Sequence, residues 1–271
     1  MVISLFLFPS TPSLFINAMS IFNLLALITS GYMEMIGKNK QYAKFCDASD
    51  LNKRKDKEKR KLPSRIGMLV FYTPSFFVGL VSFAVFQHQD PRFVMVIFVL
   101  TIHFFKRILE LGVQVLFIHK FSGYMMLSVS ITIGLSYGVS IATMIYAQYL
   151  SQESSEPFFD LKYVGLGMFL IGISGNFYHH CILSSLRKEA DREYKIPKGG
   201  LFHFVICPHY MFEIVEFIGV SCICQTGFSF CFTLGTVFLL MGRSYATRKW
   251  YVSKFGGRFG KDVKALIPYL F

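Results

Sequence analysis

Gly175-Asn176-Phe177-Tyr178-His179-His180 closes an apolar run that starts near Leu161 and has the length of a bilayer-crossing helix. Polar side chains gather where the run ends. Leu186-Arg187-Lys188 follows, then Tyr194-Lys195-Ile196-Pro197-Lys198-Gly199-Gly200-Leu201-Phe202, and the chain closes with Lys264-Ala265-Leu266-Ile267-Pro268-Tyr269-Leu270-Phe271. Apolar helices carrying polar groups at defined spacings, joined by a basic Pro-Gly-Gly loop, suit a membrane protein that grips an anionic group.

The rest of the chain fits that frame. Of its 271 residues 53% are hydrophobic and 16% charged, and mean hydropathy is +0.47; a soluble domain carries about 25% charged residues. Apolar stretches at 13–36, 66–87, 93–118, 124–150, 161–185, 201–223 and 228–250 predict an all-α integral membrane protein with about seven transmembrane helices. The net charge of +12 is distributed unevenly: residues 38–65 hold eleven Lys and Arg, 187–198 five and 243–264 seven. The alternate loops hold only Arg92 and Lys162, with Asp90, Glu153, Glu156 and Asp160. This alternation follows the positive-inside rule and predicts a lumenal N-terminus and a cytosolic C-terminus. Nucleic-acid binding offers no reason for it.

No Lys or Arg precedes the first apolar stretch, and Pro9 and Pro12 interrupt it, so it reads as an uncleaved helix and not a signal peptide. The six cysteines lack zinc spacing and read as reduced. The run Lys53–Lys61 reads as a solvated loop near anionic headgroups. No internal repeat is visible, which argues against a transporter built from repeated halves.

Four spans carry polar faces. In the third, His103, Lys106, Arg107, Glu110 and Gln114 fall on one side of a helix, and Glu110 is placed to pair with Lys106 or Arg107. In the fifth, Asn176, His180 and Arg187 share a face, with His179 about 100° round from His180. The sixth opens on Cys207-Pro208-His209-Tyr210 and continues His209, Glu213 and Glu216 at i, i+4 and i+7, with Arg187 and Arg243 as possible partners for the carboxylates. In the seventh, Arg243, Thr247 and Tyr251 stand at i, i+4 and i+8. Arg beside hydroxyl groups suits phosphate oxygens, and it equally suits anchoring at the headgroup level.

From about Asp160 to Phe271 these pieces resemble the C-terminal domain of the steroid 5α-reductase family, which includes polyprenol reductases and trans-2-enoyl-CoA reductases. The resemblance rests on Asn176 before Leu186-Arg187-Lys188, Tyr194 to Phe202, Cys207-Pro208-His209-Tyr210 with Glu213-Ile214, and Lys264 to Pro268. His103-Phe104-Phe105-Lys106-Arg107 and Leu116-Phe117-Ile118-His119-Lys120 extend it toward the enoyl-CoA branch. It implies a seven-helix fold in the endoplasmic reticulum, NADPH as hydride donor, and a bilayer lipid substrate with a carbon–carbon double bond conjugated to a carbonyl, with no metal. Three segments follow: 1–65, an N-terminal helix and basic loop; 66–159, substrate-side helices; and 160–271, the NADPH-binding domain. The family's cofactor contacts carry over to Asn176, Arg187, Tyr194, Glu213, Arg243 and Tyr251. His209 stands where an amide or His is common, Lys195 replaces a common Arg, and His180 and Thr247 stand where steroid-reducing members often have Asp and His. Lys120 is a further candidate.

The departures lie at the catalytic end. The family's third-helix Tyr is here Phe104, after His103, and its second-helix Glu falls near Tyr72 or Thr73. Residues 111–114 include what resembles a three-residue insertion. Either another group, such as Tyr72 or His103, stabilises the enolate, or the substrate differs, or the protein is a catalytically silent homologue. An isoprenylcysteine-type membrane methyltransferase is the other enzyme reading.

Overall fold

The computed structural model describes residues 5–9, 13–38, 61–86, 90–117, 124–186, 194–260 and 262–271. Among them are seven long helices: α1 (Leu14–Met35), α2 (Ser64–Val85), α3 (Pro91–Phe117), α4 (Leu127–Ser151), α5 (Lys162–Ser185), α6 (Pro208–Cys224) and α7 (Gly227–Phe255). All but α3 and α6 are long and apolar enough to cross a membrane. Helix α3 carries Arg92, Lys106, Arg107 and Glu110, and α6 has 17 residues.

Two departures from the expected pattern have local causes. The apolar stretch 201–223 is not helical from its start. Gly200–His203 forms a single 3-10 turn, and α6 begins at Pro208. Between them the backbone is committed elsewhere: Ile206 N–H donates to Lys264 O (2.9 Å), Cys207 N–H to Ala265 O (3.2 Å), and Lys264 N–H to Phe204 O (2.8 Å). Proline at the first helical position gives up only an N–H that would have no partner there. The second departure is a two-stranded antiparallel ladder, β1 (Lys61–Pro63) with β2 (Tyr124–Met126), each strand running straight into α2 or α4.

The chain divides into two compact units, residues 1–39 with 147–271, and residues 40–146, with the boundary inside α4. In the first unit the helices meet at glycines. A Cβ on Gly165 (α5) would press on Gly219 O (α6), and one on Gly219 would press on Gly165 O. Gly172 lies against the backbone of Glu216. On α1, Gly31 faces Phe238 O, and Gly242 of α7 faces Gly31 O. Lipid supplies no hydrophobic drive between helices, so close backbone approach at small residues takes its place. A polar clasp, Ser221 Oγ to Thr233 Oγ1 at 2.6 Å, adds to the α6–α7 contact.

Gln225 ties one end of this unit together. It is fully buried with a left-handed backbone (φ 49°) between α6 and α7. Its side-chain amide donates to Phe6 O (2.6 Å) and Phe159 O (2.8 Å), and its Oε1 accepts from Leu161 N–H (2.9 Å). Its own carbonyl accepts from Phe8 N–H.

In the second unit Pro74 sits inside α2. It cannot donate to Val70 O. Gly134 brings the α4 backbone against that carbonyl, and Gly138 makes room for the proline ring.

Candidate functional site

In the first unit, polar groups from α5 and α6 converge. Asn176 is 1% exposed, and its Nδ2 donates to His209 O (2.8 Å) and reaches Glu213 Oε2 (3.4 Å). The His180 and His209 rings are 5.0 Å apart, and His209 packs on Tyr210 at 4.2 Å. An amide, a carboxylate and two imidazoles thus share one neighbourhood, with Asn176 and His209 buried and His180 and Glu213 half-buried, set by the tight glycine crossing of the two helices.

His179 holds the adjoining loop. Its Nδ1 lies 2.7 Å from Gly175 O, and its Nε2 accepts from Leu201 N–H at 3.2 Å. The amide must be the donor, so the ring proton sits on Nδ1 and bonds back to its own helix. Phe212 stacks on the ring at 5.2 Å, with Phe202 edge-on. The loop reaches this position through Gly199 (φ 95°) and Gly200 (φ 51°), and a Cβ on Gly200 would meet His179 Nε2 at 2.7 Å. Only glycine takes both the backbone angle and the close approach. His179→Phe keeps the stacking but leaves Leu201 N–H without its acceptor, at a cost of about 1–2 kcal/mol. Faster tryptic cleavage at Lys195 or Lys198 is the expected readout.

On α7, Arg243 and Glu34 of α1 form a buried ion pair at 2.7 Å, with side chains 6% and 2% exposed. Next to Arg243, Ser244 is fully buried and its Oγ makes no hydrogen bond. Thr247 is buried one turn on. Tyr251 belongs to a core with Ile206, Cys207, Phe259 and Leu266, its ring stacked on Phe255 at 5.6 Å. Tyr194 packs edge-on against Trp250 at 4.8 Å, with Lys254 Nζ over both rings. Lys195 is exposed. Arg187 and Lys120 lie outside the described residues.

The second unit holds the other candidates. Arg107 Nη2 donates to the Tyr72 hydroxyl (3.0 Å) and Nη1 to Glu110 Oε2 (3.0 Å), while Lys106 Nζ stands 3.9 Å from Glu110. Phe104 is fully buried, with its ring 6.4 Å from Tyr72, 6.1 Å from Tyr137 and 4.8 Å from the buried His103. Thr73, the alternative to Tyr72, donates to Leu69 O at 2.6 Å. Here the structure brings a phenol, a guanidinium and a carboxylate together beside a ring that has no donor.

The sequence reading did not select two residues now seen at these clusters. Glu34 was visible as the only charge in the first apolar stretch, and an intramembrane carboxylate marks a site or a partner. Tyr137 carried no such signal, since α4 holds no charged residue to mark a site.

Residues 124–271 match the family described as 3-oxo-5-alpha-steroid 4-dehydrogenase. The chain is 40% identical to the steroid 5-alpha-reductase DET2 of Gossypium hirsutum over 44% of this chain and 46% of that protein. It is 33% identical to the very-long-chain enoyl-CoA reductase of Dictyostelium discoideum over 63% and 55%. With the 3-oxo-5-alpha-steroid 4-dehydrogenase 1 of Macaca fascicularis the figures are 36%, 46% and 46%. The chain thus spans about half the length of the curated relatives it matches.

Proposed function

The chain belongs to the 3-oxo-5-alpha-steroid 4-dehydrogenase family, and on that premise we propose that it is an NADPH-dependent membrane reductase. Its substrate is a lipid with a carbon–carbon double bond conjugated to a carbonyl, either a 3-oxo-Δ4-steroid or a trans-2-enoyl thioester. The observation that carries the reading is the cluster of buried Asn176 and His209 with half-buried Glu213, beside the loop held by His179.

The donor set suits the cofactor. Amide and carboxylate groups match a carboxamide or an amino-purine edge, and Arg243 offers a guanidinium for phosphate. The buried Ser244 hydroxyl, without an intramolecular partner, adds a polar group beside that guanidinium. We assign cofactor contacts to Asn176, His180, Arg187, Tyr194, Lys195, His209, Glu213, Arg243, Thr247 and Tyr251. NADPH supplies the hydride when bound. The chain's own task is to orient the carbonyl and stabilise the negative charge that develops on its oxygen. Phe104 has no donor for this, so the role passes to Tyr72, with His103 as the second candidate. The seven helices are assigned as spans, with the N-terminus lumenal, the C-terminus cytosolic and the endoplasmic reticulum as the host membrane. Within them, 66–159 takes the substrate and 160–271 the cofactor.

Phe104 also supports a second reading, a homologue that binds cofactor without turnover. Two measurements separate the readings. NADPH, but not S-adenosylmethionine, is expected to raise the melting temperature of the purified protein; absence of that shift sinks the cofactor assignment. NADPH oxidation is then followed with an enone steroid, an enal lipid and a trans-2-enoyl-CoA. Consumption with any of them supports the reductase, and none with all three favours the silent homologue.

A further inference from the structure

The Glu34–Arg243 pair is placed by backbone geometry. Gly31 and Gly242 bring α1 and α7 into direct backbone contact, and the two charges stand within a turn of that contact, Arg243 adjoining Gly242 and Glu34 one turn beyond Gly31. Both side chains are more than nine-tenths buried. Removing two charges from water is costly and is offset only by good geometry. The 2.7 Å contact provides that for one guanidinium nitrogen. Beside it lies the Ser244 hydroxyl, fully buried with no hydrogen-bond partner. Elsewhere, Ser20, Ser82, Thr101, Thr143 and Thr236 all donate to the carbonyl four residues back. Ser244 forgoes that bond, at a point where the neighbouring residue is a buried cation.

We infer that Glu34 is an internal counter-anion for Arg243, occupying the place that a phosphate group of an anionic dinucleotide takes on binding, with the Ser244 hydroxyl as a second donor to that group. The first helix, which lies outside the region matched to the family, is then part of the cofactor site. This rests on the assignment of Arg243 to the cofactor. A guanidinium has five N–H donors in a planar fork, so exchanging a carboxylate for a phosphate keeps its charge compensated. In the absence of ligand the guanidinium faces the Glu34 carboxylate, and the ligand must displace a competitor that is part of the chain.

The consequence has a sign that a purely structural pair does not share. Glu34→Gln keeps the shape but removes the competing charge. The ligand-free protein is expected to melt at a lower temperature, because a buried arginine has lost its ion pair with the Glu34 carboxylate. Its affinity for NADPH is expected to rise three- to tenfold, followed by NADPH fluorescence on the full chain in detergent, with a steeper loss of binding as salt is raised. If Glu34 only braces the helices, stability and affinity fall together, and an unchanged or weaker Kd for the variant overturns the inference. Inorganic pyrophosphate is the second probe. If neither protein binds NADPH, yet pyrophosphate stabilises Glu34→Gln more than the wild type, the counter-anion role stands and the cofactor assignment fails. If pyrophosphate and NADPH both treat the two proteins alike, the inference fails. Should Glu34→Gln not survive purification, Glu34→Asp shortens the reach by one methylene and is expected to raise NADPH affinity about twofold; no rise overturns the proposal.

Discussion

Tyr72→Phe is expected to lower kcat by about 10²–10³-fold, the scale seen when one donor to a developing oxyanion is removed, while the Kd for NADPH stays unchanged. The substitution deletes one oxygen. In the structure that oxygen accepts from Arg107, which is itself braced by Glu110. A guanidinium has no acceptor, so the contact with Arg107 uses a lone pair of the phenol and not its proton, as a hydrogen-bond donor to an enolate-like oxygen requires. The measurement is single-turnover NADPH oxidation with whichever substrate of the panel is consumed. If Tyr72→Phe retains wild-type turnover, the donor is elsewhere and His103 inherits the role. Phe104→Tyr is the companion variant. It restores a phenol at the position that has none, inside a fully buried aromatic cluster. A gain of steroid reduction would show that this position limits activity.

Gln225→Leu is expected to destabilise the protein by roughly 2–4 kcal/mol, since three part-buried backbone groups lose their partners and each such hydrogen bond contributes about 0.5–1.5 kcal/mol net. Phe6 O, Phe159 O and Leu161 N–H all depend on this one side chain. Leucine has similar bulk, so the loss isolates hydrogen bonding from packing. Gln225→Glu keeps the acceptor for Leu161 N–H but withdraws both donors, and it is expected to do comparable damage. A melting curve in nanodiscs is sufficient, and a change of less than about 1 kcal/mol in either variant would mean that water replaces the amide at these groups.

The helices were legible because hydropathy reads them directly. The stretch 161–185 predicts α5 to within a residue, and 13–36 predicts α1. The false helical start at 201 came from the same signal. Leu201, Phe202, Phe204, Val205 and Ile206 are apolar, but the backbone from Phe204 to Cys207 pairs with Lys264 and Ala265, some sixty residues away. Composition holds no trace of that pairing. Helical spacing placed Glu110 near Arg107 because the two share one helix, and the ion pair forms there. It could not join Asn176 to His209 or Glu213, which sit on another helix. Nor could it distinguish the neighbouring imidazoles, and His179, off the polar face, is the one that fastens the glycine loop. Sequence spacing offers Arg243 as a possible partner for Glu213 and Glu216, whereas the carboxylate it meets, Glu34, is 209 residues earlier in the chain.

That separation has a meaning in time as well as in space. Translation at roughly 5–20 residues per second puts about 10–40 s between the synthesis of Glu34 and that of Arg243. Throughout that interval the first helix carries a carboxylate that has yet to meet Arg243, in a medium that makes a buried charge costly. The end of α1 that bears Glu34 therefore settles into the bilayer late. Its final seat is a post-synthetic event, completed when Gly242 arrives against Gly31 and delivers the arginine with it. A nascent chain arrested before residue 243 would leave that end accessible to water-soluble carboxylate reagents. The finished chain would shield it.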